Sequence, residues 1–177
     1  MKKTIINIVL VLTTLIIYYL QSNFFTWFNI AGIVPNLFII FTLFIGLFST
    51  RTMGTAYGMV IGLILDLLLG NKVGVNAATL GLIGFLAGEF DRNFSKDSRI
   101  TIMFMVFGAT VIFETVVYFL NYILYSTNVE VISFIKILIV EVIYNIIITI
   151  IFYKPIQKFG YYIENEYKGN KILTRYF

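Results

Sequence analysis

Cysteine and histidine are both missing from this chain of 177 residues. Without cysteine there is no disulfide framework and no thiol chemistry; without histidine there are no imidazole metal ligands and no serine–histidine dyad. Charge is scarce as well. Only 12% of the residues are Asp, Glu, Lys or Arg, against about 25% in an ordinary soluble domain. No polar stretch is long enough to fold as a separate soluble domain. Apolar sequence dominates instead: 59% of the chain is hydrophobic and the mean hydropathy is +0.92, the composition of a protein that crosses a bilayer several times.

About 20 apolar residues cross a hydrocarbon core of about 30 Å. On that rule the sequence predicts an all-α integral membrane domain over residues 1–153, one bundle of six transmembrane helices near 4–20, 35–50, 52–69, 73–89, 100–125 and 131–153, followed by a basic tail over 154–177. Alternate loops differ sharply in charge. One set carries Lys2, Lys3, Arg51, Arg92, Lys96, Arg99, Lys154, Lys158, Lys168, Lys171 and Arg175, whereas the opposite set carries Lys72 alone. The positive-inside rule then places both termini in the cytoplasm. The net charge of +4 follows from these flanks and from attraction to anionic lipid, and it calls for no nucleic acid. Lys2 and Lys3 resemble the start of a signal peptide, but Gln21-Ser22-Asn23-Phe24 offers no small-residue cleavage site, so the first span reads as an uncleaved anchor. The connector from Gln21 to Val34 is uncharged and aromatic, which suits an external loop at headgroup level.

The third and fourth spans contain a ladder of small residues ending in an acid: Gly54, Gly58, Gly62, Asp66, Gly70 and Gly74, each four residues after the last. Four residues is about 400° of helix rotation, so these positions form one ridge, and side-chain-free positions in that register let a second helix approach closely in lipid. The ridge reads as a partner-binding or helix-packing surface. Asp66 should face protein, because an aspartate centred in hydrocarbon costs about 2.5–3.5 kcal/mol on insertion. Ala77 with Gly81 and Gly84 with Gly88 repeat the spacing on the fourth span. The Gly70–Gly74 stretch has the chemistry of a tight helix stop.

Three further ionisable groups fall inside spans: Glu114, Lys136 and Glu141, with Asn145 one turn beyond Glu141. With both termini inside, Asp66, Glu114, Lys136 and Glu141 all reach the outer half of the membrane, where they would form one buried polar region; the plain alternative is that each is satisfied locally and Lys136 snorkels outward. No catalytic constellation emerges. A serine nucleophile would have only Lys136 as its base, and the acids are too scattered for a metal centre, with Asp91 and Asp97 reading as an ordinary solvated loop. No cofactor is implied.

Leu20-Gln21-Ser22 at the end of the first span, Pro35-Asn36-Leu37 opening the second, and Gly58-x-x-x-Gly62-Leu63-x-x-Asp66-x-x-x-Gly70-x-x-x-Gly74 in the third together resemble the rod shape-determining protein MreD. The motifs cover the first half of the chain and hydropathy alone the second. The family often has an aspartate after the proline, where this chain has Asn36. The resemblance implies a non-enzymatic component of the bacterial cell-elongation machinery, bound to the bitopic MreC and through it to the actin-like MreB and the peptidoglycan synthases. It also implies a six-helix fold similar to the substrate-binding subunits of energy-coupling-factor vitamin transporters, and makes Pro35, Asn36 and the ladder the positions to watch. A transporter subunit of that kind is the alternative function. Such subunits dock through small residues on the first span, whereas residues 4–20 are nearly all bulky.

Overall fold

A computed structural model describes residues 2–69, 73–91, 96, 98–125 and 130–168. The elements are α1 (Lys2–Tyr19), a π-helical segment (Leu20–Phe24) leading into the single turn α2 (Phe25–Trp27), then α3 (Leu37–Phe48), α4 (Arg51–Leu69), α5 (Val75–Phe90), α6 (Arg99–Tyr125) and α7 (Val131–Tyr167). Among the described residues four helices are long and apolar enough to cross a membrane: Lys3–Trp27, Arg51–Leu68, Arg99–Leu124 and Val131–Tyr167. The expected second and fourth spans are shorter apolar helices, α3 and α5. At 1.5 Å per residue the 12 residues of α3 reach only about 18 Å, well short of the hydrocarbon core.

A helix that short survives by being the centre of the bundle. Apart from Phe41, every residue of α3 is buried, as expected of a helix apolar on all sides, and α1, α4, α5, α6 and α7 all pack against it. Its free backbone groups then have no water to meet. Side chains from elsewhere supply the partners at both ends. At the start, the Asn36 N–H donates to Asn145 Oδ1 at 2.8 Å and the Leu37 N–H to Gln21 Oε1 at 3.1 Å. At the finish, the Leu47 carbonyl accepts from Lys168 Nζ at 3.0 Å and from Lys96 Nζ at 3.4 Å, cations placed where the helix dipole favours them.

The lysines belong to a network: Asp91 accepts from Lys96 and Lys168 at 2.6 Å each, and Glu164 accepts from Lys96 at 2.5 Å. These side chains are only 10–20% exposed, so Asp91 is not the solvated loop residue its neighbours suggested; Asp97 lies outside the described residues. Burial raises the Asp91 carboxyl, but hydrogen bonds and charge from Lys168 and Lys96 outweigh it and hold it below the usual carboxylate range. Burial pulls the Lys168 ammonium down, only partly offset by Asp91 and Glu164. Lys168→Met is therefore expected to destabilise the bundle by about 3 kcal/mol, the cost of leaving half of a buried pair, read as a fall in thermal unfolding midpoint in detergent. The Asp91 contribution is present above its unfolded value and lost as pH falls through the depressed folded one, so the gap between Lys168→Met and the unaltered chain should narrow below pH ~4.

The network forms because α7 does not stop near residue 153. It continues through Pro155 to Tyr167, about 55 Å in all, so the first 14 residues assigned to a tail are helix. The Tyr167 hydroxyl donates to Asn7 Oδ1 at 2.5 Å, and Lys3 lies 5.5 Å from the Tyr167 ring. The first helix, the last helix and the basic turns near Arg51 and Lys96 thus meet at one end of the bundle.

Candidate functional site

The glycine ladder is the joint between α4 and α5, the most extensive helix pair in the molecule. A Cβ added to Gly54 would stand 2.6 Å from the Gly84 carbonyl oxygen, one on Gly58 would strike the Leu80 carbonyl, and one on Gly62 would strike the backbone of Asn76 and Ala77. Gly46 joins from α3, facing Ala87 and Gly84, and Gly88 faces Arg51. Small residues on both helices bring backbone onto backbone, the close approach that lipid permits only where side chains are absent. The ridge is filled from within the chain. Gly70 lies outside the described residues, while Gly74 has φ +103° and is the N-cap of α5, so the left-handed residue opens the second helix of the hairpin.

Asp66 completes this joint. Its Oδ2 accepts from the Gly74 N–H at 2.8 Å and the Ala77 N–H at 3.2 Å; its Oδ1 accepts from the Asn76 N–H at 3.2 Å and Asn76 Nδ2 at 2.9 Å. A carboxylate on α4 thereby caps the free N–H groups of α5, where the helix dipole also favours negative charge. Asp66 is 2% exposed and, among the described residues, its carboxylate is answered by donors of Gly74, Asn76 and Ala77. The sequence offered Asn76 no role, although an amide ten residues after a buried acid is a natural partner for it.

The other acids form a second joint, on the seam of α6 and α7, and Asp66 is not part of it. Asn145, fully buried, donates to Thr110 Oγ1 at 3.0 Å and accepts from the Asn36 N–H. One turn earlier on α7 the Glu114 and Glu141 carboxyls lie within hydrogen-bonding reach of each other, and Glu141 also lies within reach of the Asn36 and Asn145 side chains; among the described residues Glu141 Oε1 itself is buried without a partner. Further towards the start of α7, Tyr118 packs on Phe134 with ring centroids 4.4 Å apart. Asn36 has its expected place at the start of α3, acting through its backbone, with Pro35 fixing the entry one residue earlier. Lys136 corrects the reading of a single buried region: it is exposed, on the first turns of α7 and off the face that carries Glu141. A five-residue separation turns a helix by about 500°, which puts the ammonium on another side from the acids. Gln21 and Thr110, which secure the ends of this joint, carried no sequence signal beyond the Leu20-Gln21-Ser22 motif.

Taken together these are the joints of a polytopic membrane bundle: glycine contacts, a cross-helix cap, and side chains that close the ends of a short central helix. The chain matches the family of the rod shape-determining protein MreD over residues 2–163, nearly its whole length, and it belongs to that family. It is a rod-shape-determining protein of the bacterial inner membrane. No curated protein and no solved structure matches it.

Proposed function

We propose that the chain is a non-enzymatic component of the cell-elongation machinery, which binds MreC directly and, through it, helps to organise MreB and the peptidoglycan synthases along the side wall. Family membership over residues 2–163 carries this reading. The geometry supports it: Asp66, Asn145 and the glycine ladder are engaged with the chain's own helices, which suits a rigid body presenting lipid-facing surfaces to other membrane helices. Depletion of the protein should make rod cells round and remove new peptidoglycan from the side wall, visible by fluorescent d-amino acid labelling. Normal shape together with lost uptake of a vitamin would replace this reading with the transporter subunit.

Both termini face the cytoplasm in this proposal, since the basic residues lie in alternate loops of the sequence and, among the described ones, Lys3, Lys96 and Lys168 meet at one end of the bundle. The chain has no native cysteine, so single cysteines report cleanly. Val73→Cys and Glu130→Cys should react with an impermeant external thiol reagent in intact cells and Thr52→Cys should not; the opposite pattern would invert the topology.

A further inference from the structure

We propose that Glu114 and Glu141 form a proton-binding site on the seam of α6 and α7, in which the two carboxyls share one proton between facing oxygens. The register of the seam brings them together. Contacts of Arg99 with Tyr153, Thr110 with Asn145 and Tyr118 with Phe134 show that the two helices run antiparallel. Glu114 follows Thr110 by one turn on α6, and Glu141 precedes Asn145 by one turn on α7, so both turns lead the same way from the Thr110–Asn145 bond.

Two ionised carboxylates placed there have only acceptors to offer each other. Glu141 is 6% exposed, and its Oε1 is buried without a partner among the described residues. The Asn36 and Asn145 side chains lie within reach of Glu141 without closing on this oxygen, and the Tyr144 hydroxyl is given to the Phe28 carbonyl. No cation answers the two charges either. The α3 helix has no ionisable side chain, the connector from Gln21 to Asn36 is uncharged, and Lys136 is exposed on another side of α7. Arg99 and Lys154 stand about four turns away along their helices. A carboxyl so placed is neutralised by taking up a proton, and a proton held between the pair gives the orphaned oxygen its partner.

The donor set decides against a metal ion as the occupant. A hard cation asks for about six oxygens. Here Asn145 Oδ1 already accepts from the Asn36 N–H, and Thr110 Oγ1 accepts from the Asn145 amide while donating to the Val106 carbonyl. The two carboxyls and the Asn36 amide oxygen are what remain. A proton needs two oxygens and no more.

The test is infrared difference spectroscopy on the full chain in phosphatidylglycerol nanodiscs at neutral pH, comparing the unaltered protein with the variant Glu114→Gln plus Glu141→Gln. Glutamine keeps the shape and the hydrogen bonding of a neutral carboxyl, so this variant should fold. The difference should contain the C=O stretch of one protonated carboxyl per chain and the bands of one carboxylate, the same in sodium as in N-methylglucamine buffer. A difference without a protonated carboxyl, or with two, would overturn the proposal, and a protonated band that appears only when sodium is withdrawn would give the site to a metal ion instead. Should the variant fail to fold, isotopic labelling of the glutamate side-chain carboxyls in the unaltered chain reads the same proton. Glu89 is paired with Arg51 and Glu164 with Lys96, and Glu130 is exposed, so an isotope-shifted protonated band is expected from the pair, and its absence would overturn the proposal.

Discussion

Gly58→Ala is expected to cost about 3 kcal/mol or more, at or above the upper end of ordinary overpacking, whereas Gly108→Ala is expected to be neutral or to stabilise. The two substitutions are chemically identical and both lie inside long helices. They differ in what the new methyl meets. At Gly58 it falls closer than 3.0 Å to the Leu80 carbonyl carbon and oxygen and reaches the Gly81 nitrogen; these are backbone atoms of α5, so no side chain can rotate away and the helices must part along the whole ridge. At Gly108 nothing lies within 4 Å, and only the intrinsic gain of about 0.5–1 kcal/mol for alanine over glycine in a helix remains. Thermal unfolding in detergent should show the Gly58 variant lower by roughly 10 °C and the Gly108 variant unchanged or higher. Equal effects would mean that helix propensity, not the α4–α5 contact, governs these positions.

Replacing Asp66 has the second largest expected effect, and its pattern is specific. Asp66→Leu leaves the Gly74, Asn76 and Ala77 N–H groups and the Asn76 amide without their acceptor, at about 1–3 kcal/mol for each donor that stays buried, and should prevent accumulation of folded protein. Asp66→Asn should be milder. The new amide keeps one oxygen for the Gly74 and Ala77 N–H groups, and the Asn76 side chain can flip to accept from the new NH₂, which leaves only the Asn76 N–H unmet. Joining Asp66→Asn to Asn76→Ala removes that accommodation, so the double variant should lose more than the sum of the singles. Additive losses would show that Asn76 plays no part in the cap. The measurements are unfolding midpoints and membrane yields at matched expression.

Where backbone physics speaks through spacing, the sequence was explicit. The four-residue ladder announced a close helix contact, and the structure supplies its partner, α5. Asp66 announced a protein-facing carboxylate, yet its donors come from the turn immediately after it, because an acid at the end of one helix of a tight hairpin stands next to the free N–H groups of the other. Hydropathy located the helices and left their lengths open: nothing in an apolar run distinguishes a full span from a central helix like α3, whose ends are closed by Asn145, Gln21, Lys96 and Lys168. Those closures join residues 109, 16, 49 and 121 positions apart, separations at which periodicity carries no information. The continuation of α7 beyond residue 153 was hidden for a related reason. Its polar last turns resemble a soluble tail until Asp91, Lys96 and the first turns of α1 are seen packed against them.

The reading of this chain as a shape-determining scaffold stands most directly on the company it keeps in the membrane. The full chain should be affinity-recovered from gently solubilised membranes of its own host and its partners identified by mass spectrometry. Recovery of MreC with peptidoglycan synthases, retained by Asp66→Asn and lost when the α4–α5 joint is broken by Gly58→Ala, is the result expected. Recovery of ATPase and coupling subunits in place of MreC would contradict it.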